Sequence, residues 1–220
     1  MKIKSLIPLV AGGVVVAQSV AMAAQSSDEV IRPPGAQDEN DFLARCIKCG
    51  RCIEACPYVA LKAADQSSGL AVGSPYLNVR ERACHLCEDF PCVEACPTEA
   101  LRDIEERSDV DMGLAVIDNE LCIAMQGMRC EVCYRVCPLI DEAITIDYRL
   151  RDGDNIHAVF APKIDEEKCV GCGLCVERCV IYDPDIAIKI TRDRDKAIEE
   201  THNQKQVGSG IYDDKRQTKQ

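Results

Sequence analysis

Residues 46–57 read CIKCGRCIEACP, with four cysteines spaced C-x2-C-x2-C-x3-C and a proline directly after the last. Three further quartets follow. The second has the spacing C-x2-C-x4-C-x3-C-P, the third C-x7-C-x2-C-x3-C-P, and the fourth C-x2-C-x2-C-x3-C with valine in place of proline. The quartets, numbered one to four, are Cys46, Cys49, Cys52 and Cys56; Cys84, Cys87, Cys92 and Cys96; Cys122, Cys130, Cys133 and Cys137; and Cys169, Cys172, Cys175 and Cys179.

The first spacing is that of bacterial proteins with two [4Fe–4S] clusters, in which the fourth cysteine of each run ligates the other cluster. Three cysteines on a tight loop can face three irons of one cube. We expect the fourth to begin a short helix, with proline at its first position. Gly50, Gly171 and Gly173 lie inside the loops, where we expect positive φ angles. The sequence therefore predicts four [4Fe–4S] clusters, whose iron is held by the sixteen cysteines.

Two other uses of the cysteines are considered. Structural zinc sites use two separated cysteine pairs, often with histidine, whereas these cysteines come as triplets plus one, and the chain has three histidines. Disulfides are chemically open to an exported chain. A third alternative, an enzyme that uses a cluster as a Lewis acid, needs an iron that lacks a ligand, and every quartet is complete. We therefore expect an electron carrier without catalytic residues.

The composition fits a core that is partly inorganic. The chain has no tryptophan, three phenylalanines and six tyrosines, although aromatic side chains usually dominate buried area. Its formal charge of −11 excludes a typical nucleic-acid binder, which needs basic side chains against phosphates. An acidic surface either steers a basic redox partner or only maintains solubility.

The N-terminal segment 1–24 has the pattern of an export signal. Lys2 and Lys4 precede an apolar run over 6–17, and Ala21 and Ala23 form a small-x-small cleavage site. The run is shorter than the roughly 20 residues that span a bilayer, although an uncleaved interfacial anchor is an alternative. A folded cluster protein normally needs a twin-arginine signal, which this segment lacks. We expect a periplasmic protein that reaches the membrane only through a partner, with its export route left open.

Short strand-like runs separate the quartets, at 114–118, 143–148, 156–160 and 186–190. Each quartet thus predicts a loop, a short helix and a strand, which together indicate an α+β fold of two ferredoxin-like domains. Residues 25–41 are predicted as a linker, 63–78 as a connector rich in Gly, Ser and Pro, and 192–220 as a disordered tail. We expect Tyr58, Tyr134 and Tyr182 to pack over clusters. His85 is expected to be no ligand, but either a surface residue or one that lies just behind the ligands.

Several segments together resemble the NapG/MauM family of ferredoxin-type proteins over about residues 30–192. They are RPPGA at 32–36, the four quartets, SGL at 68–70, CED at 87–89, and CYRVCP at 133–138 with IDEAIT at 140–145. The resemblance, which is greatest to the nitrate-reductase members, implies a periplasmic electron-transfer subunit. Its partners would be a NapH-like membrane iron–sulfur quinol dehydrogenase subunit, cytochromes c and periplasmic nitrate reductase. MauM-like members imply methylamine oxidation as the alternative.

The spacing of quartet two also resembles the four-cluster subunits of molybdenum reductases, whose arrangement is nested. Two pairings are possible: a sequential one (one with two, three with four) and a nested one. The resemblance implies the nested pairing, in which quartet one shares clusters with quartet four, and quartet two with quartet three. The implied domains are an outer one from 42–79 and 151–191, and an inner one from 80–150. The implied ligand sets are Cys46, Cys49, Cys52 and Cys179; Cys84, Cys87, Cys92 and Cys137; Cys122, Cys130, Cys133 and Cys96; and Cys169, Cys172, Cys175 and Cys56.

Overall fold

The computed structural model describes residues 30–150, 156 and 158–213; the predicted export signal and residues 214–220 lie outside them. Among the described residues the helices are α1 (Glu39–Arg45), α2 (Arg51–Ala55), α3 (Pro91–Glu94), α4 (Val132–Val136), α5 (Leu174–Arg178) and α6 (Arg194–Asp213). The strands are β1 (Leu61–Ala63), β2 (Pro75–Leu77), β3 (Leu114–Ile117), β4 (Ile144–Leu150), β5 (Ala158–Ile164) and β6 (Ile188–Thr191). No helix in the described ranges is long and apolar enough to cross a membrane.

Quartets one and two belong to one structural unit, here called unit one. Its ends meet where Ala36 and Leu101 form an isolated antiparallel bridge. Between them the chain runs through α2, the hairpin β1–β2 and α3. The hairpin is antiparallel, with Leu61 opposite Leu77, and α2 packs against α3.

Quartets three and four belong to unit two, which repeats the order of unit one. Its ends meet where β3 pairs antiparallel with β6, with Leu114 opposite Thr191. Between them lie α4, the hairpin β4–β5 and α5, and α4 packs against α5. Both units therefore have a helix, a hairpin and a helix between chain ends that pair antiparallel, by a single bridge in unit one and by two strands in unit two.

The nested domains predicted from the spacing of quartet two are wrong. The structure does not divide into 42–79 with 151–191 around 80–150, because α2 packs against α3 and α4 against α5. The physical reason is local chain closure. Each pair of helices is joined by a single antiparallel hairpin, and short closures cost less entropy than long ones.

The four predicted strand runs are confirmed, since β3, β4, β5 and β6 overlap them. The predicted connector at 63–78 instead contains the end of β1, a 3-10 helix (Gln66–Ala71) and β2. The predicted tail at 192–220 instead forms α6 over Arg194–Asp213, whose Ala197 is fully buried beside Leu114 and Val116 of β3. Packing on a strand therefore stabilises a segment that its polar composition had indicated to be disordered.

The prediction that the fourth cysteine of each quartet begins a short helix is wrong. Cys56, Cys137 and Cys179 cap the C-terminal ends of α2, α4 and α5, and do not begin new helices. Proline after such an end is common because it cannot continue a helix. The fourth cysteine therefore leaves its own loop at the far end of the helix that the loop begins.

The predicted linker at 25–41 is built into the structure over its described part. Ile31 bridges to Leu77 of β2. Arg32 is 2% exposed, and its guanidinium donates to Glu39 Oε2 at 2.9 Å, to Ser74 Oγ at 2.9 Å and to the carbonyl of Pro75 at 2.8 Å. Glu39 also accepts from Arg192 at 2.8 Å, just after β6. This segment therefore ties unit one to the end of unit two.

Replacing Arg32 with methionine is expected to lower the free energy of unfolding by about 3 kcal/mol, because buried acceptors lose their charged donor. Anaerobic guanidinium unfolding followed by circular dichroism measures it. The control is Arg45→Met, whose partner Asp41 lies one turn away at the surface and which should leave the free energy of unfolding almost unchanged. Equal losses for both variants would contradict the role given to Arg32.

One hydrophobic core extends through both units. It includes Leu61, Val79 and Leu86 from unit one and Val170 and Val176 from unit two. The cysteines Cys52, Cys92 and Cys172 are part of it. Three of the sixteen cysteines therefore belong to the core, while the others are half-buried except Cys49, which is exposed.

Candidate metal centres

The cysteine loops share a left-handed backbone turn. The residue before the second cysteine has positive φ in three quartets, at Lys48 (57°), Leu86 (48°) and Gly171 (70°). The residue two places before the third cysteine directly precedes the following helix, and it also has positive φ in the same three quartets. These residues are Gly50 (77°), Phe90 (38°) and Gly173 (85°).

The positive φ angles expected at the three glycines are confirmed, and the same turn occurs at three residues that sequence reasoning missed. A side chain in this conformation stores strain, which persists at ligand-binding loops where the surroundings enforce it. Aligning the quartets on Gly50 and Gly171 is the signal that would have found Lys48, Leu86 and Phe90. The loops therefore follow one backbone plan despite their different sequences.

Two groups of cysteines lie in unit one, each around its own cavity. The first three cysteines of quartet one and the last cysteine of quartet two line one cavity. The first three of quartet two and the last of quartet one line another. We call them group A (Cys46, Cys49, Cys52, Cys96) and group B (Cys84, Cys87, Cys92, Cys56).

Unit two has the same exchange of fourth cysteines. One cavity is lined by the first three cysteines of quartet four and the last of quartet three, and Cys133 also reaches its edge. Burial raises the pKa of Cys122 and of Cys133, and the nearby thiols of Cys130 and Cys179 raise the pKa of both further. The remaining four cysteines therefore lie close to one another. We call them group C (Cys122, Cys130, Cys133, Cys179) and group D (Cys169, Cys172, Cys175, Cys137).

The structure thus corrects the nested ligand sets. Cys56 lies with Cys84, Cys87 and Cys92, and not with quartet four. Likewise Cys96 lies with quartet one, Cys137 with quartet four and Cys179 with quartet three. All sixteen cysteines are nevertheless brought into four sets of four, and each set takes three from one quartet and one from another.

Burial opposes ionisation of these thiols. It raises the pKa of Cys52 to about 11, and the pKa of Cys84, Cys92, Cys133 and Cys172 each to about 12. Burial also raises the pKa of Cys175 well above its usual value. A coordinated metal ion deprotonates a thiol outright. These buried cysteines are therefore suited to binding metal and not to reacting as free thiolates.

Backbone N–H groups point at several of the sulfurs. The Ala60 N–H donates to Cys56 Sγ at 3.4 Å. Burial raises the pKa of Cys96, but donors from Leu101, Thr98 and Ala100 outweigh it and the pKa is lowered overall. N–H groups directed at ligand sulfurs stabilise negative charge and tune cluster potentials.

The donor set fits an iron–sulfur cluster better than a single ion. All sixteen cysteines lie within the described residues and are free of disulfides. No three His, Cys, Asp or Glu side chains among the described residues converge tightly enough to hold one metal ion. Tetrahedral zinc requires thiolate sulfurs about 3.8 Å apart, given Zn–S bonds near 2.3 Å. A wider cage of four thiols with an apolar lining suits a cubane, which separates its ligand sulfurs further.

The tyrosines beside the cysteines have different environments. Tyr58 lines the group B cavity and stacks on His85, with ring centroids 3.8 Å apart. Tyr134 donates its hydroxyl to Asp141 at 2.7 Å, and Tyr182 lies under the guanidinium of Arg80. Of the three, Tyr58 is the one that the cavity lining places against a cysteine group.

Comparison with known proteins agrees with this chemistry. A family described as a 4Fe-4S dicluster domain matches residues 45–100 and 122–181, one match for each unit. The ferredoxin-type protein NapG of Escherichia coli K12 is 46% identical over 169 residues, covering 76% of this chain and 72% of that protein. The methylamine utilization ferredoxin-type protein MauM of Paracoccus denitrificans is 42% identical, covering 77% of this chain and 75% of that protein. No solved structure matches.

The class defined by the matched domains and the cysteine groups is an iron–sulfur electron-transfer protein of the ferredoxin type. Within it, the chain belongs to the NapG/MauM family of ferredoxin-type proteins.

Proposed function

We propose that the chain binds four [4Fe–4S] clusters, one in each of groups A to D, and carries single electrons between partner proteins. The observation that supports this most directly is the completeness of each group, in which four thiols surround one site. Each unit then corresponds to one two-cluster ferredoxin-like domain, in which the fourth cysteines are exchanged. With four thiols for every cluster no iron is left open to a substrate, so the chain has no catalytic site of its own in this proposal.

The chain's own residues have three tasks in this function. The sixteen thiolates hold the clusters, which when bound supply one-electron redox chemistry. Backbone donors such as the Ala60 N–H stabilise the charge on the sulfurs. The apolar walls, which include Leu61 and Phe90 at group B, exclude water from the site. Exclusion of water lets each site change charge with little rearrangement around it.

Anaerobically purified or reconstituted protein is expected to contain about sixteen iron and sixteen acid-labile sulfide per chain. Chemical analysis and Mössbauer spectroscopy measure this number and the cluster type. Saturation near eight iron would leave half of the groups without a cluster. Stable uptake of about four zinc in place of iron would instead favour the structural zinc module.

The proposed setting is the periplasm. The support is the export-signal pattern of residues 1–24 and the family's implied partner, a NapH-like membrane iron–sulfur subunit that oxidises quinol. Electrons would pass from that subunit to cytochromes c and periplasmic nitrate reductase, and the chain would contact the membrane only through its partner. The acidic charge of −11 suits a basic face on such a partner.

Methylamine oxidation is the second candidate pathway, because relatives named for methylamine utilization are 40–42% identical to this chain. The two pathways are separated by the donor and acceptor. Reduced protein should transfer electrons to cytochrome c of a nitrate-reducing system in the first case. In the second, loss of the gene should abolish growth on methylamine and leave nitrate respiration intact.

A further inference from the structure

A backbone hydrogen bond joins two cluster-binding cysteines across the boundary between the units. The N–H of Cys84, in group B, donates to the carbonyl oxygen of Cys172, in group D, at 3.0 Å. Group B therefore lies against group D. Cys84 and Cys172 are members of two different cysteine groups. The path from one group to the other therefore consists of the covalent bonds within these two residues and the single hydrogen bond between them.

The surrounding residues hold this contact in place. The N–H of Ala83, next to Cys84, donates to Glu177 Oε2 at 2.7 Å. The guanidinium of Arg80 donates to the carbonyls of Val176 at 2.7 Å and Cys179 at 3.2 Å. Segment 79–84 of unit one is thus bound to 172–179 of unit two. We call these two segments the junction.

Two further pairs of groups adjoin within the units. Cys52 of group A lies on α2 and Cys92 of group B on α3, and these two helices pack against each other. In the same way Cys133 of group C lies on α4 and lines the same cavity as Cys175 of group D, which lies on α5. Group A therefore adjoins B, and group C adjoins D. Combined with the junction, these contacts give the spatial order A, B, D, C, which differs from the order of the quartets in the chain.

We propose that the Cys84–Cys172 hydrogen bond is the route by which electrons cross between the units, so that groups A and C are the two ends of the path. This inference rests on the proposed function. In the crossing, the cluster in group B is oxidised by one electron and the cluster in group D is reduced by one, or the reverse, and no bond breaks and no proton moves. One-electron redox proteins are the external donor and acceptor.

The order is tested by removing one group of unit two at a time from the full chain. Cys169→Ala removes group D and Cys130→Ala removes group C, and iron analysis confirms the loss in each. The remaining clusters are fully reduced photochemically and examined by electron paramagnetic resonance, because adjacent reduced clusters broaden each other's signals. Without D, group C has no neighbour, so Cys169→Ala should show one narrow, uncoupled spectrum. Without C, group D still adjoins B, so Cys130→Ala should show none.

Other outcomes overturn the proposal. A narrow spectrum in Cys130→Ala alone would place group C at the junction. Narrow spectra in both variants would mean that no group of one unit adjoins the other, and their absence from both would mean that C and D both adjoin unit one. Failure of the proposed function is a different result, since the unaltered chain would then lack [4Fe–4S] clusters.

A second set of variants tests the junction without touching a ligand. Glu177→Ala should make the Cys84 amide exchange hydrogen about tenfold faster, since its neighbour Ala83 loses its acceptor. In a chain that also carries Cys130→Ala, Glu177→Ala should narrow the electron paramagnetic resonance signal of group D. Glu177→Gln should restore both the slow exchange of the Cys84 amide and the broadened group D signal. The control is Glu131→Ala, because Glu131 has the same 13% side-chain exposure and bonds arginines of its own unit. Equal effects of Glu177→Ala and Glu131→Ala would sink the proposed junction.

Discussion

Removal of the iron is expected to unfold both units, and not only to empty the cysteine groups. The cavities lie in the middle of each unit, where α2 faces α3 and α4 faces α5. Without clusters these helices, each of four or five residues, face empty space. Helices of that length have no stability of their own in water. In such a protein the free energy of metal binding is part of the free energy of folding.

The measurement is anaerobic chelation of iron, followed by circular dichroism and amide hydrogen exchange. We expect amides of both units to lose nearly all protection, because opening then costs close to zero free energy. Added zinc should not restore protection, since single ions do not span the wide thiol cages. A metal-free chain that keeps native exchange in the β3–β6 and β4–β5 sheets would contradict this expectation.

Replacing Gly173 with alanine is expected to destabilise the protein by about 4 kcal/mol, through overpacking and backbone strain together. An added Cβ would lie 2.6 Å from the Cβ of Val79, which belongs to the other side of the junction. The φ angle of 85° adds the strain of a left-handed conformation. The change therefore forces units one and two apart at the point where groups B and D meet.

Gly50→Ala is the matched control, because Gly50 occupies the same position in quartet one. Its φ of 77° is similar, but nothing lies within 4 Å of an added Cβ. This variant should lose about 1 kcal/mol, the strain alone. Denaturant-induced loss of cluster absorbance measures both variants anaerobically. Equal destabilisation would show that the close contact with Val79 does not constrain the junction.

The sequence was sufficient for the chemistry and for most local structure. Cysteine spacing identified all sixteen cysteines that the structure gathers, because a tight loop is needed to turn three thiols to one site. Short strand-like runs located β3 to β6, and in two of these runs, at 143–148 and 186–190, apolar residues alternate. Loop glycines indicated positive φ at Gly50, Gly171 and Gly173. These properties depend on neighbours within a few residues.

A polar or loop-like composition wrongly predicted disorder and a linker in two segments that tertiary contacts hold in place. Residues 194–213 are rich in charge yet form α6, because Ala197 is buried against β3. The RPPGA segment reads as a linker, yet Arg32 is almost fully enclosed by partners from distant parts of the chain. Such contacts join residues far apart in sequence, so no local pattern reports them.

The sequence by itself determined that there are four cysteine sets and that each quartet supplies three members of one. Only the tertiary structure decided which set receives each fourth cysteine and which sets adjoin. The reason is geometric. The fourth cysteine stands at the end of a short helix, and the spacing is satisfied equally well whichever quartet lies opposite. The packing of α2 on α3 and of α4 on α5 selects the partner, and the bond from Cys84 to Cys172 sets the order.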